Sequence, residues 1–422
     1  MNARKTKVVI SFKTQKFSKK IDAYLETLSY TDCANGESDS IDIKVSNRNK
    51  VWNTKWKPEK GDKLTAKIQQ KWWRNLAGKK RKHTTTVKCG TFYIDDLSYS
   101  GRPLVCNMGG IASPIYSAFN VDELTKTWEN VSIQQIAKVI AQAAGMNLYY
   151  DASNITIASI EQSNQTSCNF LSNICKDYGL AMKIYSNKIV IMDEEKLEKK
   201  KAVATINENG TIKWSYNSTM TGTYTGAKFS YTNPDTDQTL EVTVGGGSRI
   251  KYINVSANNL MEAQLKGIAL LNNENKKAVT MSITIPADSK IYAGTNVTLK
   301  GFGNLNGKYF VDKVKHSVGT SYTMTLTLRK VQERIKSVAM AAVASATAAA
   351  ETAGTAQGRQ HTVVSGDTLW ALAVKYYGAG VQYTKIYNAN VSVIEETAKA
   401  HGKSSSENGH WIYPGTVLNI PA

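Results

Sequence analysis

Leu64-Thr-Ala-Lys-Ile-Gln-Gln-Lys-Trp72 puts Leu64, Ala66, Ile68, Gln70 and Trp72 at every second position, the period that turns one face of a β-strand toward a core. The same period recurs upstream in Ile41, Ile43 and Val45. Downstream, Thr91-Phe92-Tyr93-Ile94 carries the β-rich composition to the Gly-rich Met108-Gly109-Gly110. Residues 1–120 are therefore expected to form an antiparallel β domain.

The period then changes to that of a helix. Ser132 with Gln135 makes a capping-box pair, Ile133, Ile136, Ala137 and Ile140 form an apolar stripe, and Gly145 supplies a stop. A second helix is expected over 168–178, burying Leu171, Ile174, Cys175 and Tyr178 and ending at Gly179. Strands at 181–185 and 188–192 flank Ser186-Asn187, a hairpin turn, and the charged run 193–201 closes a small α/β insert at 121–205. From Ile206 the β habit returns. Strands 227–231 and 239–244 flank Asn233-Pro234-Asp235, a helix is expected near 260–271, and three further strands run through Arg329. These make a second β domain at 206–332. Residues 337–358 are Ala/Thr/Gly-rich with almost no large side chains, so 333–358 reads as a linker.

A chain of 422 residues with 41% hydrophobic residues, 29 Gly and 7 Pro exceeds one ordinary core and has a folded, multidomain composition. The five cysteines, Cys33, Cys89, Cys106, Cys168 and Cys175, are odd in number and lack CxxC or dense extracellular spacing, which points to folding in a reducing compartment. Met1-Asn2-Ala3-Arg4-Lys5 and the short Val8-Val9-Ile10 do not form a secretion signal. The alanine-rich 337–350 falls short of the roughly 20 residues that span a bilayer, so no membrane span is expected. The net charge of +19 is concentrated at the front, where residues 1–90 hold 22 Lys/Arg against 8 Asp/Glu, a net +14. Such a field favours a polyanion, an acidic protein or an anionic surface.

Catalysis needs a nucleophile with an oriented base, a carboxylate pair or spaced metal ligands. The five histidines, His83, His316, His361, His401 and His410, lack HxxxH and HExxH spacing, so no metal site is expected. Cys168 and Cys175 lie seven apart on one helix face and suit core packing better than coordination. Asp95 and Asp96 are adjacent on a strand and should face opposite sides. Gly245-Gly246-Gly247 lacks the Lys-Ser/Thr of a phosphate loop and reads as a turn. No cofactor is implied, and the chain reads as non-enzymatic. The sharpest local signal is Lys71, Trp72, Trp73 and Arg74 with Lys79, Lys80, Arg81 and Lys82, since cations beside aromatics can contact phosphates and stack on bases. A solvated hairpin tip and packing against a protein neighbour compete with transient nucleic-acid contact.

His361-Thr-Val-Val-Ser-Gly-Asp-Thr-Leu-Trp-Ala-Leu-Ala-Val-Lys-Tyr-Tyr-Gly378, with Ile386-Tyr-Asn-Ala-Asn390 and Ile412-Tyr-Pro-Gly-Thr-Val-Leu-Asn-Ile-Pro421, resembles a LysM module at 359–422. The residues agree with a βααβ unit: Asp367 or Thr368 caps a helix whose Leu369, Leu372, Ala373 and Tyr376 face inward, Gly378 ends it, and Ile386 and Tyr387 form the buried side of the second. The resemblance implies binding of N-acetylglucosamine polymers by two loops. Here these hold Ser365, Gly366, Asp367, Thr368 and Leu369, then Asn390 and Ile412, Tyr413, Pro414 and Gly415. The 18 extra residues 392–409 inside the second loop depart from the wall-binding pattern and imply a groove altered for docking.

More diffusely, the first 330 residues resemble the late control protein D family of phages. Gly307-Lys-Tyr-Phe-Val-Asp-Lys-Val-Lys-His316 and Ser321-Tyr-Thr-Met-Thr-Leu-Thr-Leu-Arg329 match that family's closing hairpin, and Thr91-Phe-Tyr-Ile-Asp-Asp96 and the 132–145 helix fall where expected. The resemblance implies an α+β, mainly β protein: two tube-like antiparallel β-barrel domains, a small α/β insert and the C-terminal LysM module. It further implies a homotrimeric baseplate hub of a contractile tail or tail-like injection particle, assembled in the bacterial cytoplasm. Its partners would be the tail tube, spike, sheath or wedge proteins and tape measure. The alternative is a tail protein that binds or degrades peptidoglycan through LysM.

Overall fold

Alternation sets the β core. In the Lys63–Lys71 strand Leu64, Ala66, Ile68 and Gln70 are buried in turn, while Lys63 and Lys67 are exposed. Gln70 is tolerated there because its amide is satisfied: Nε2 donates to the Ala287 carbonyl at 3.0 Å, and Oε1 accepts from Thr85 at 2.8 Å. The computed structural model describes residues 5–12, 15–16, 21–71, 84–113, 118–232, 239–254, 257, 260–335 and 359–421. Trp72 and the turn at 233–238 lie outside them.

Among the described residues thirteen strands join in one sheet, with Lys213–Ser218 at one end and Lys5–Phe12 with Gln15–Lys16 at the other. Strands from 5–111 and strands from 204–330 meet where Leu25–Cys33 pairs antiparallel with Gly307–Val318, Tyr30 opposite His316 and Asp32 opposite Val314. One apolar core runs through both regions. Ile10, Ile43 and Phe92 from the first pack in the same cluster as Ile283, Tyr309 and Leu326 from the second. Each such side chain contributes about 1.5–3 kcal/mol by leaving water.

A second core belongs to the small α/β insert. Its helix Ile133–Ala143 starts on the expected capping box: Ser132 Oγ accepts from Gln135 N at 3.2 Å, and Gln135 Oε1 accepts from Ser132 N at 3.0 Å. The helix Ser167–Asp177 buries Phe170, Leu171, Ile174 and Cys175, and Cys168 packs at the margin of that core. Ser186 and Asn187 both take positive φ, 49° and 60°, the conformation a two-residue hairpin of the right-handed twist requires.

The structure adds to three readings. The charged run 193–201 contains a helix, Glu194–Lys199, whose Glu194 and Glu198 are buried. Beside the three expected late strands a short fourth, Asn296–Lys300, pairs with Ala204–Asn207 and Gly307–Val318. Asp95 and Asp96 are both exposed, beside a register shift between Ile94 and Asp96 that interrupts the strand's regular pairing.

The chain divides into two compact units, the second of which contains Ile335–Ala422. In it Arg359–Thr362 pairs antiparallel with Val417–Ile420, and Leu369–Tyr377 and Tyr383–Ala389 form the two expected helices. Residues 392–409 are not an open loop. The first half of them continues a third helix, Val391–Ala400, which adds Ile394 and Ala398 to the buried residues of the unit. Among the described residues no helix is long and apolar enough to cross a membrane, and no cluster of His, Cys, Asp and Glu could hold a metal ion.

Candidate functional site

The first loop of the C-terminal unit is built around Asp367. Its Oδ2 accepts from Val364 N at 2.9 Å and lies 2.8 Å from His361 Nε2, whose other nitrogen meets the Tyr376 hydroxyl at 2.8 Å. The hydrogen bond from His361, helped by the Val364 amide, holds Asp367 below the usual carboxylate range. Asp367 therefore braces the turn, and Thr368 is the cap, accepting from Ala371 N at 3.0 Å. Ser365, Gly366 and Thr368 are exposed, whereas Leu369 is a core residue.

In the second loop Pro414 and Gly415 are exposed, Ile412 packs against the core, and Tyr413 is half-buried. Asn390 is not at the loop surface. It is buried, its Nδ2 donating to the Ile386 and Asn419 carbonyls and its Oδ1 accepting from Asn419 N, each at 2.7 Å. It ties a helix end to the last strand and so positions both loops.

The insert is pinned beside this surface. Glu395 accepts from the Ser406 hydroxyl, from Ser406 N at 3.0 Å and from the Tyr387 hydroxyl at 2.9 Å, and the Ser406 hydroxyl bond leads in holding it below its ordinary range. Gly409, at φ +84°, runs so close to Leu369 that a Cβ there would lie 2.2 Å from that side chain. His401 stacks on Tyr413 with ring centroids 3.8 Å apart, and Lys403 sits 3.9 Å over the Trp411 ring. Insert side chains thus occupy one face of each aromatic ring near the second loop.

Of the basic patch, Lys71 ends a strand and pairs opposite Thr84. Trp72, Trp73, Arg74, Lys79, Lys80, Arg81 and Lys82 lie outside the described residues.

Two buried ionic clusters escaped the sequence reading. Lys183 Nζ lies 2.6 Å from Asp32 Oδ1 and 3.1 Å from Asp39 Oδ1, with Tyr30 donating to Asp39 at 3.0 Å and Ala293 N to Asp32 at 2.8 Å. Burial raises Asp39 to about 6 despite Lys183. Burial also lowers the neighbouring His316, stacked on Tyr30 and bonded to Tyr322 at 2.9 Å, to about 4. In the second cluster Glu194 and Glu198 bind Arg329 and Arg334, and Lys276 reaches Glu194 at 3.0 Å. Burial works against ionised Glu194, but Arg329, Lys276 and Arg334 outweigh it and bring the group to about 2. The residues of each cluster are far apart in sequence, which left no local pattern to find.

Comparison with known proteins gives two independent likenesses. Residues 361–397 match the model of the LysM domain. Over 63 residues the chain is 40% identical to the uncharacterized protein YqbP of Bacillus subtilis (strain 168), a match spanning 15% of this chain and only 27% of that protein. Among solved structures, the 43 kDa tail protein of prophage MuSo2 from Shewanella oneidensis superposes with a TM-score of 0.60 at 13% identity, covering 77% of this chain and 98% of that one. The tail protein of Neisseria meningitidis MC58 gives 0.59 at 13% identity, covering 77% and 96%. Prophage tail protein gp18 of Listeria monocytogenes EGD-e gives 0.50 at 13% identity, covering 82% and 100%. The chain has the mainly β fold of phage tail proteins and carries a LysM domain.

Proposed function

We propose that this chain, a phage-tail fold joined to a LysM domain, is a non-catalytic baseplate hub of the late control protein D type. It would serve a contractile tail or tail-like injection particle assembled in the bacterial cytoplasm. In this reading three copies form a ring between tail tube and spike, the tape measure meets the ring, and each LysM docks on a sheath or wedge neighbour. The observation that carries the reading is the superposition over 98% of the Shewanella tail protein. The edge of the large sheet supports the ring: every residue of Lys213–Ser218 is exposed, Trp214 and Tyr216 included. An uncovered edge of that kind is a template for pairing with another chain. Light scattering of the full chain, followed by negative-stain imaging, should give three times the 46.4 kDa monomer and a ring. A stable monomer sinks the hub reading.

The LysM match favours a second reading, engagement of peptidoglycan through the exposed Ser365, Gly366 and Thr368. The stacked His401–Tyr413 pair favours docking instead, because it covers one face of a ring a sugar would use. Pulldown on purified peptidoglycan separates the two, and zymography tests for wall degradation.

A further inference from the structure

A cleft of about 590 Å³ in the first unit lies among the Thr84–Ser100 strand, the hairpin around Tyr185, the end of the Glu194–Lys199 helix and the loop before Asn296–Lys300. Its base holds the Asp32–Lys183 pair. Asp32 is the one carboxylate in the lining, and it is consumed by Lys183 and Ala293 N. Lys88, Lys200 and Lys201 also line the cleft and are exposed, and among the described residues their ammonium groups have no hydrogen-bond or ion-pair partner. Apolar side chains share this lining: Val203 is 37% and Tyr292 57% exposed, and Ile291 is buried. One further group lacks a partner among the described residues. Asn296 is buried in the wall, its Nδ2 donates to the Leu197 and Lys200 carbonyls, and its Oδ1 accepts from none of the described residues.

We propose that this cleft is a docking site for an extended acidic segment of a partner protein, with an apolar anchor side chain between carboxylates. Charge complementarity selects the occupant: three cations without partners among the described residues share one lining with exposed apolar side chains, and the lining's sole acid is neutralised. Carboxylates meet Lys88, Lys200 and Lys201, the anchor packs on Val203 and Tyr292, and a side-chain or backbone donor that comes near Asn296 completes its amide. Nucleic acid fits this lining less well, because Tyr292 is the one exposed ring among the lining residues on which a base could stack, and Val203 and Ile291 offer none. The inference does not depend on the ring or on LysM.

The test is selection of a displayed random-peptide library on the full chain and on a Lys88→Ala/Lys200→Ala/Lys201→Ala variant. Enriched peptides should carry carboxylates flanking an aliphatic or aromatic residue on the wild-type chain only. A fluorescein-labelled copy of the leading peptide should bind about tenfold more weakly to the triple variant, close to 1.4 kcal/mol. It should also weaken on Tyr292→Ala and with added salt. The substituted side chains are exposed, and unchanged thermal melting will show that the variants fold. Failure to enrich any peptide, enriched peptides without carboxylates, equal enrichment on the variant, or displacement of the peptide by an equal concentration of single-stranded oligothymidylate would overturn the proposal.

Discussion

The two units of this chain hold themselves together over different sequence distances. In the LysM unit the polar contacts that fix the fold are short-range: His361 with Tyr376 across 15 positions, Glu395 with Ser406 across 11, Asn390 with Asn419 across 29. In the first unit they are remote: Asp32 with Ala293 across 261 positions, Gln70 with Ala287 across 217, Glu198 with Arg334 across 136. Short-range closure costs little chain entropy, so the LysM unit can carry its fold in one stretch. The first unit must order most of the chain before its buried charges find partners. The lesson is that the same residue types act as local braces in one unit and as long-range joints in the other.

The largest expected effect tests that difference directly. Lys183→Met strands Asp32 and Asp39 in the interior, and loss of one member of a buried ionic set costs about 3–5 kcal/mol. Two-transition urea unfolding should show the loss in the first unit alone; a loss shared by the LysM transition would break the comparison. Acid comes next. Glu194 sits near 2 in the folded state against an ordinary 4.5, so its stabilisation is complete above 4.5 and is lost as pH falls toward 2. The effect is on the order of 3 kcal/mol and should flatten in Glu194→Gln, read as stability against pH. Between about 4 and 6 two other groups oppose each other. Raised Asp39 loses stability as pH rises from 3.8 to about 6, while lowered His316 gains it as pH rises from about 4 to 6.5. A near-flat profile is therefore expected there.

Within the LysM unit, Asn390→Ala should cost about 1–3 kcal/mol by leaving the backbone groups it serves unpaired, with the first unit unmoved in the same unfolding experiment. The smallest effect belongs to His401→Ala, which removes one stacked ring and should cost about 0.5–1.5 kcal/mol. It sharpens the choice between docking and sugar binding. If the insert screens the groove, peptidoglycan pulldown should rise in His401→Ala.

What could be read in advance follows from range. The Ser132–Gln135 box, the Ser186-Asn187 turn and the Thr368 cap are each complete within a few residues, and each forms as expected. That the 193–201 run holds buried charges was not legible in its charge count, because Arg329 and Arg334 come to Glu194 and Glu198 only in the fold. Likewise 392–409 reads as a loop, since its apolar Ile394 and Ala398 need a core supplied by Leu369 and Leu418 to make a helix worthwhile.

By itself, then, the sequence determined the strand and helix periods, the caps and turns, the LysM motif and the concentration of positive charge toward the front. All of these depend on neighbours within a turn or a hairpin. Tertiary structure alone decided that both β regions share one sheet and one core, that Glu194 and Asp39 are interior charges, and that Lys88, Lys200 and Lys201 line one cleft. Those outcomes rest on pairing between distant strands. Burial and the field at a charge are properties of the folded neighbourhood, and no window of sequence contains them.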